Sequence, residues 1–162
     1  MTDIRYHTEG FVFSYRTAGI LIRDGKVLLQ KPDNDDGYAV PGGHVALGET
    51  NEETLIREFR EECNTEIAVG PLRAVAEIFF PWGEKECQQI CTYFQVELTS
   101  QDGLPQTDSF MTEEFMEGRE IPVRFYWIPI EKLPELLIYP PQIVPIITDK
   151  NLITQHFVYK EK

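Results

Sequence analysis

Residues 43–64 read GHVALGETNEETLIREFREECN, and the rest of the chain is organised around them. Thr50-Asn51-Glu52-Glu53 is a capping box, in which the Thr50 hydroxyl accepts from a first-turn amide while Glu53 reaches back. The acidic first turn suits the positive end of the helix dipole. Leu55, Ile56, Phe59 and Cys63 then recur at helical spacing and make one apolar stripe. Asn64 is the stop, because asparagine tolerates the left-handed conformation used just past a helix end. The pattern predicts an amphipathic helix over residues 50 to 63, with its Leu55/Phe59 side buried.

Six carboxylates crowd the segment: Glu49, Glu52, Glu53, Glu58, Glu61 and Glu62. Glu58, Glu61 and Glu62 stand at i, i+3 and i+4 and share a helix face beside the buried stripe. Like charges at that spacing destabilise a helix by a few tenths of a kcal/mol per pair. A divalent cation would offset the repulsion, and clustered oxygen ligands suit Mg²⁺ or Mn²⁺ rather than zinc. An EFREE string by itself reads more readily as a solvated acidic face. The loop in front of it changes the reading. Tyr38-Ala39-Val40 reads as a short strand running into Pro41-Gly42-Gly43, where only glycine lets backbone come close to a ligand or to the next helix. Arg57 is the cation placed to hold the Glu49 end of that loop.

Gly43-x5-Glu49-x7-Arg57-Glu58-Phe59-x-Glu61-Glu62-x-Asn64 resembles the Nudix box, GX5EX7REUXEEXGU, with U an apolar residue. The preceding Val-Pro-Gly-Gly is also similar to that family. Asn64 stands for the final glycine of the pattern and Thr65 for its last apolar residue; neither position supplies a catalytic group. The resemblance implies a Nudix-type α/β/α sandwich with a mixed β-sheet. It also implies metal-dependent hydrolysis of a phosphoanhydride bond in a nucleoside diphosphate linked to another moiety. By that resemblance Glu58, Glu61 and Glu62 hold Mg²⁺ or Mn²⁺, with the Gly42 carbonyl as a further ligand. Glu49 and Arg57 form an ion pair that fixes the loop, and Gly43 and His44 lie against the substrate. The general base is Glu58 or a glutamate of a distant loop, for which Glu113, Glu114 and Glu117 are the candidates. Pro81 falls at a distance after the box similar to that of a proline in ADP-ribose-cleaving members, and a turn explains it as readily.

The composition agrees. A chain of 162 residues fits one domain, 1–162, with the polar residues 1–10 expected to be loosely held. The net charge of −12 argues against a nucleic-acid surface. An anionic substrate would then need metal ions or a local cationic patch to approach. Cys63, Cys87 and Cys91 have no C-x-x-C spacing, which argues against a structural zinc site or a disulfide framework. No apolar run approaches a membrane span, so a soluble cytoplasmic protein is expected, without nucleic-acid or membrane partners. The family resemblance leaves room for a homodimer.

Outside the box, residues 17–23 and 26–30 flank Asp24-Gly25, a strong hairpin signal. Residues 66–69, 72–80, 89–98 and 123–128 have strand composition, with a longer hairpin loop expected at Pro81-Trp82-Gly83-Glu84. Residues 100–122 read as a long loop and 129–137 as a short helix; 143–147 fits helix or strand, and 156–159 a terminal strand. Tyr38, Phe79, Phe80, Trp82 and Phe110 are the aromatic residues considered for stacking on a base, although strand aromatics also fill cores. Two rival readings use the same box. A nucleotide-sensing module that does not cleave usually loses box carboxylates, and this chain keeps them. An isoprenoid diphosphate isomerase needs an additional acid–base pair, typically with a reactive cysteine, and none of the three cysteines has distinctive surroundings.

Overall fold

The computed structural model describes residues 1–100, 103–111 and 123–162. Glu113, Glu114 and Glu117 therefore lie outside the described residues. The strands are β1 (Arg5–His7), β2 (Phe11–Arg23), β3 (Lys26–Pro32), β4 (Gly42–His44), β5 (Ile67–Trp82), β6 (Lys85–Leu98), β7 (Ser109–Phe110), β8 (Val123–Pro129) and β9 (Gln155–Lys160). The helices are α1 (Asn51–Cys63) and α2 (Ile143–Thr148), with a 3-10 helix at Ile130–Glu135.

Strand β2 is the axis. It pairs parallel with β6 from Phe11 to Leu21, and antiparallel with β1, β4 and, beside the turn, β3. The path runs β7-β8-β3-β2-β6-β5-β9, with β1 and β4 attached to β2. Both pairing senses occur, since β5 is antiparallel to β6 but parallel to β9. The turn between β2 and β3 is Asp24-Gly25 with φ of 52° and 76°, the doubly left-handed turn whose twist matches a hairpin.

Each face of the sheet carries its own core. Leu55, Phe59 and Cys63 of α1 pack with Leu21, Leu28, Val96, Phe125 and Trp127. On the other face Leu133 of the 3-10 helix and Ile143, Ile146 and Ile147 of α2 cover Ile20, Leu29, Ala76 and Tyr93. Burial on both faces explains why β2 reads AGIL without alternation: neighbouring side chains enter opposite cores. Burying a side chain such as Phe59 contributes about 1.5–3 kcal/mol. The expected mixed sheet between helical layers is the architecture adopted.

The helix at the box forms as its sequence dictates. The Thr50 hydroxyl accepts from the Glu53 amide at 3.1 Å, and the Thr50 amide donates to the Glu53 carboxylate at 2.7 Å. Asn64 ends it in the left-handed region at φ 51°.

Several boundaries differ from the sequence expectation. Tyr38 and Ala39 make only isolated bridges, to Ile138 and Gln30, and the strand begins instead at Gly42. Pro41 has no amide to donate, so the ladder resumes beyond it. The expected strands 66–69 and 72–80 are one strand, because bulges at Val69/Leu72 and Leu72/Ala74 absorb Gly70-Pro71. That strand continues through Pro81 and Trp82, which leaves a two-residue turn where a longer loop was expected. The N-terminal segment, expected to be loosely held, pairs as β1, and Ile4 and Leu47 donate to Val45 and Thr2 at 2.8 Å. Residues 143–148 are helical, and 155–160 form the terminal strand.

Candidate active site

The site is assembled where α1 passes behind β4. Arg57 is its hub. Its Nε and Nη2 donate to the two Glu49 carboxylate oxygens at 2.7 and 2.9 Å, a bidentate pair across the loop. Its Nη1 donates to Glu58 at 2.8 Å and to Glu61 at 3.3 Å, and its Nη2 also reaches the His44 carbonyl at 3.3 Å. The Thr54 hydroxyl donates to Glu49 at 2.8 Å. The Arg57 guanidinium beside Glu49, with Thr54, holds that carboxyl down to about 2.

Glu58 goes the other way. Burial, then the neighbouring Glu62 charge, pushes its carboxyl up to about 7 although Arg57 pulls against both. Glu58 and Glu62 are buried, whereas the Glu61 side chain is 44% exposed. So the structure brings Glu49, Arg57, Glu58 and Glu61 into one ion-pair network, with Glu62 beside Glu58. Among the described residues no three His, Cys, Asp or Glu side chains converge as a ready-made metal cluster. Glu49, Glu58 and Glu61 bear on Arg57 instead.

Glycines bring the loop onto this cluster. A Cβ on Gly42 would lie 2.0 Å from the Thr17 carbonyl oxygen of β2, and one on Gly43 would lie 2.2 Å from the Glu58 carboxyl carbon. Gly43 is thus the wall between the carboxylates and a cleft of about 490 Å³ on the opposite side of the sheet from α1. Gly42, Gly43 and His44 line that cleft at one end. The Nε2 atom of His44 is buried and lacks a hydrogen-bond partner among the described residues. Burial and the Arg16 and Arg5 charges lower the His44 pKa, opposed by Asp3, which favours the neutral imidazole.

Of the aromatic residues considered for stacking, Phe80 and Trp82 line the cleft. Tyr38, Phe79 and Phe110 do not. Tyr38 packs edge-on to Tyr126 at 5.3 Å, Phe110 stacks on Phe125 at 5.4 Å, and Phe79 lies under Lys160. Arg16, Gln89, Tyr139, Tyr159, Asp35 and Glu161 complete the chemistry of the cleft, and sequence reasoning missed them. The one available signal was Arg16 itself, a cation two residues before the buried Ala18 on the same face of β2. All three cysteines are free and buried, and burial pushes Cys63 and Cys91 up, the latter to about 11. A reactive thiolate, as the isomerase reading requires, is not offered there.

The family description that matches this chain is the NUDIX domain, over residues 14–148. The chain belongs to that family. Among proteins with names, this NUDIX chain is 47% identical over 47 residues to an ADP-ribose pyrophosphatase of Methanocaldococcus jannaschii, a stretch of 27% of this chain and 28% of that one. It is 42% identical over 57 residues to a CTP pyrophosphohydrolase of Escherichia coli K12, covering 33% of this chain and 42% of the other. The match thus spans less than half the length of either relative. Among solved structures, a UDP-X diphosphatase superposes with a TM-score of 0.61 at 21% identity, over 94% of this chain and 68% of that one. A MutT protein from Bacillus halodurans gives 0.60 at 22% identity, over 91% and 90%. At that identity the superpositions speak for the NUDIX fold alone.

Proposed function

We propose that this NUDIX chain hydrolyses a phosphoanhydride bond in a nucleoside diphosphate linked to another moiety, with a divalent cation. The observation that carries the reading is the pair of buried carboxylates, Glu58 and Glu62, with Glu58 packed against Gly43, which also lines an aromatic-floored cleft. The names of the two partial relatives, both pyrophosphate-cleaving enzymes, support the same reaction class.

The residues fit such an ion. Burial, then the neighbouring Glu62 charge, pushes Glu58 up to about 7 against the pull of Arg57, and a bound cation would offset both. Glu58, Glu61, Glu62 and the Gly42 carbonyl are all oxygen donors, as Mg²⁺ or Mn²⁺ prefers. When bound, the ion neutralises phosphate charge and lowers the pKa of water. Arg57 keeps Glu58 and Glu61 oriented, and Glu49 anchors Arg57 to the loop. Gly43, lacking a side chain, lets phosphate oxygens approach the carboxylates, and His44 offers its Nε2 to the substrate. Glu58 takes the water proton unless a glutamate outside the described residues does so. No described helix is long and apolar enough to cross a membrane. Three unpaired thiols suit a reducing compartment, and we assign the chain to the cytoplasm.

The direct test is phosphate release from ADP-ribose, nucleotide sugars, nucleoside triphosphates and dinucleoside polyphosphates, with Mg²⁺, Mn²⁺ or EDTA. Metal-dependent cleavage of one class is expected. Nucleotide binding without cleavage of any class would replace this reading with the sensing module.

A second expectation concerns stability against pH. Glu58 has an ordinary value of 4.5 and a folded value of about 7. Below pH 4.5 it is neutral folded or unfolded and carries no penalty. As pH rises through about 7, ionising it inside the fold costs up to about 3 kcal/mol, so metal-free protein loses stability. Glu49 acts in another window: its contribution is present above pH 4.5 and is lost as pH falls toward 2. In EDTA the melting temperature should therefore fall between pH 5 and pH 8, Mg²⁺ should restore it at pH 8, and Glu58→Gln should flatten the decline. An unchanged decline in Glu58→Gln would assign it to the net charge of the chain instead.

A further inference from the structure

Arg16 lies on the β2 face that floors the cleft. Register sets it opposite His44 of β4 and Cys91 of β6. Its guanidinium has, among the described residues, no hydrogen-bond acceptor and no carboxylate within ion-pair distance. Arginine offers five donors and stays charged at any relevant pH. Arg16 is half-buried in the cleft lining, and a cation without a carboxylate partner among the described residues is conspicuous in a chain where 27 acidic residues face 15 basic ones. The next polar atom along is also unused, since the buried His44 Nε2 has no partner among the described residues. Arg5 belongs to the same corner: it pairs with Ser14 on the same face of β2, and its guanidinium lies 5.7 Å from the Trp82 ring centre.

The cleft changes character across the sheet. From β2 the strands run β6, β5, β9, so β9, which carries Tyr159, lies about 14 Å from β2 at three strand spacings. Glu161 follows that strand and lines the cleft there, as Asp35 does from the loop after β3. Trp82 stays at the donor end, 6.3 Å from the His44 ring, with Phe80 next to it and Gln89 on β6, the last with its carbonyl oxygen accepting from Ser14 at 2.9 Å. One end thus offers donors to an anion; the other offers carboxylates, which repel an anion and accept from hydroxyl or amino groups.

We propose that Arg16, with the Nε2 of His44, clamps a phosphate group of the substrate beside Gly43, while the cleft beyond takes an uncharged, hydroxyl- or amine-bearing ring. Arg16 is then a specificity-determining residue: it selects phosphorylated nucleosides over nucleosides, by direct hydrogen bonds and without help from a metal. The assignment rests on the reading that this cleft holds the substrate of the reaction above.

The test is equilibrium binding in EDTA, where turnover is absent, using ADP against adenosine and CDP against cytidine. Wild type should prefer the diphosphate of at least one pair. Arg16→Ala should weaken that diphosphate by about 10- to 100-fold, as for a charge-assisted hydrogen bond, and leave the nucleoside unaffected. Arg16→Lys keeps a point charge without the planar fork and should lose an intermediate amount; it decides the matter if the alanine variant does not fold. A wild type that binds no diphosphate more tightly than its nucleoside, or an Arg16→Ala that weakens both equally or neither, overturns the proposal. Phosphate release with Mg²⁺ is scored separately. Its absence would sink the hydrolase reading and leave the Arg16 binding result standing.

Discussion

Glu62→Gln should lower turnover by on the order of 10³-fold, the scale seen when a group that stabilises transition-state charge is removed, and the protein should remain folded. The replacement is nearly isosteric and removes one negative charge from a buried pair. Glu62 is one of the two groups that raise the Glu58 pKa by charge. Neutralising it relieves that repulsion, so the metal-free variant should melt no lower than wild type at pH 8. Loss of activity with retained or improved stability separates a functional carboxylate from a structural one. The measurements are steady-state rates on whichever substrate the screen identifies, and thermal melts in EDTA. Near-normal turnover would remove Glu62 from the proposed metal ligands.

Gly43→Ala should lower turnover by about 100-fold, because misplacing a catalytic group by about 1 Å has that cost. The new methyl would lie 2.2 Å from the Glu58 carboxyl carbon and 2.3 and 2.6 Å from its oxygens. No atom tolerates such an approach, so the carboxyl must swing away, against the 2.8 Å bond from Arg57. The obstacle is the end of a side chain, and the fold should survive. Gly42→Ala is the control with the opposite signature. Its methyl would lie 2.0 Å from the Thr17 carbonyl oxygen and 2.6 Å from the Ala18 Cα, both backbone atoms of β2. Strand β4 cannot stay paired there, and the strain should exceed about 3 kcal/mol, the upper end of ordinary overpacking. Circular dichroism melts and rates on the two variants would distinguish the cases. A Gly43→Ala enzyme at full rate would mean that Glu58 does not act where its carboxyl now sits.

The parts of this site that were legible in the sequence are those whose partners are near in the chain. The capping box joins residues three apart, and the Asn64 stop is a property of one backbone position. The hairpin at Asp24-Gly25 is two residues whose left-handed φ the sequence announces. Arg57 and Glu49 are eight residues apart, with only the first turns of α1 between them, and the expected ion pair is present. Even here the three carboxylates did not behave alike. Helical spacing placed Glu58, Glu61 and Glu62 on one face, but only packing against Gly43 and the sheet decided that Glu58 is buried and Glu61 half-exposed.

By itself, then, the sequence determined the box helix, its caps, the hairpin and the chemistry class of the carboxylates, because local backbone preference and 3.6-residue periodicity act over one or two turns. Tertiary structure alone decided the cleft. Arg16, Gln89 and Tyr159 line one cleft because β2 runs parallel to β6 and β9 parallel to β5, pairings between residues 75 and 81 positions apart. Parallel pairing needs a crossover and leaves no turn signal between the strands it joins. That the Arg16 guanidinium has no partner among the described residues is likewise invisible in the chain order, since it is a property of the folded neighbourhood and not of the residue.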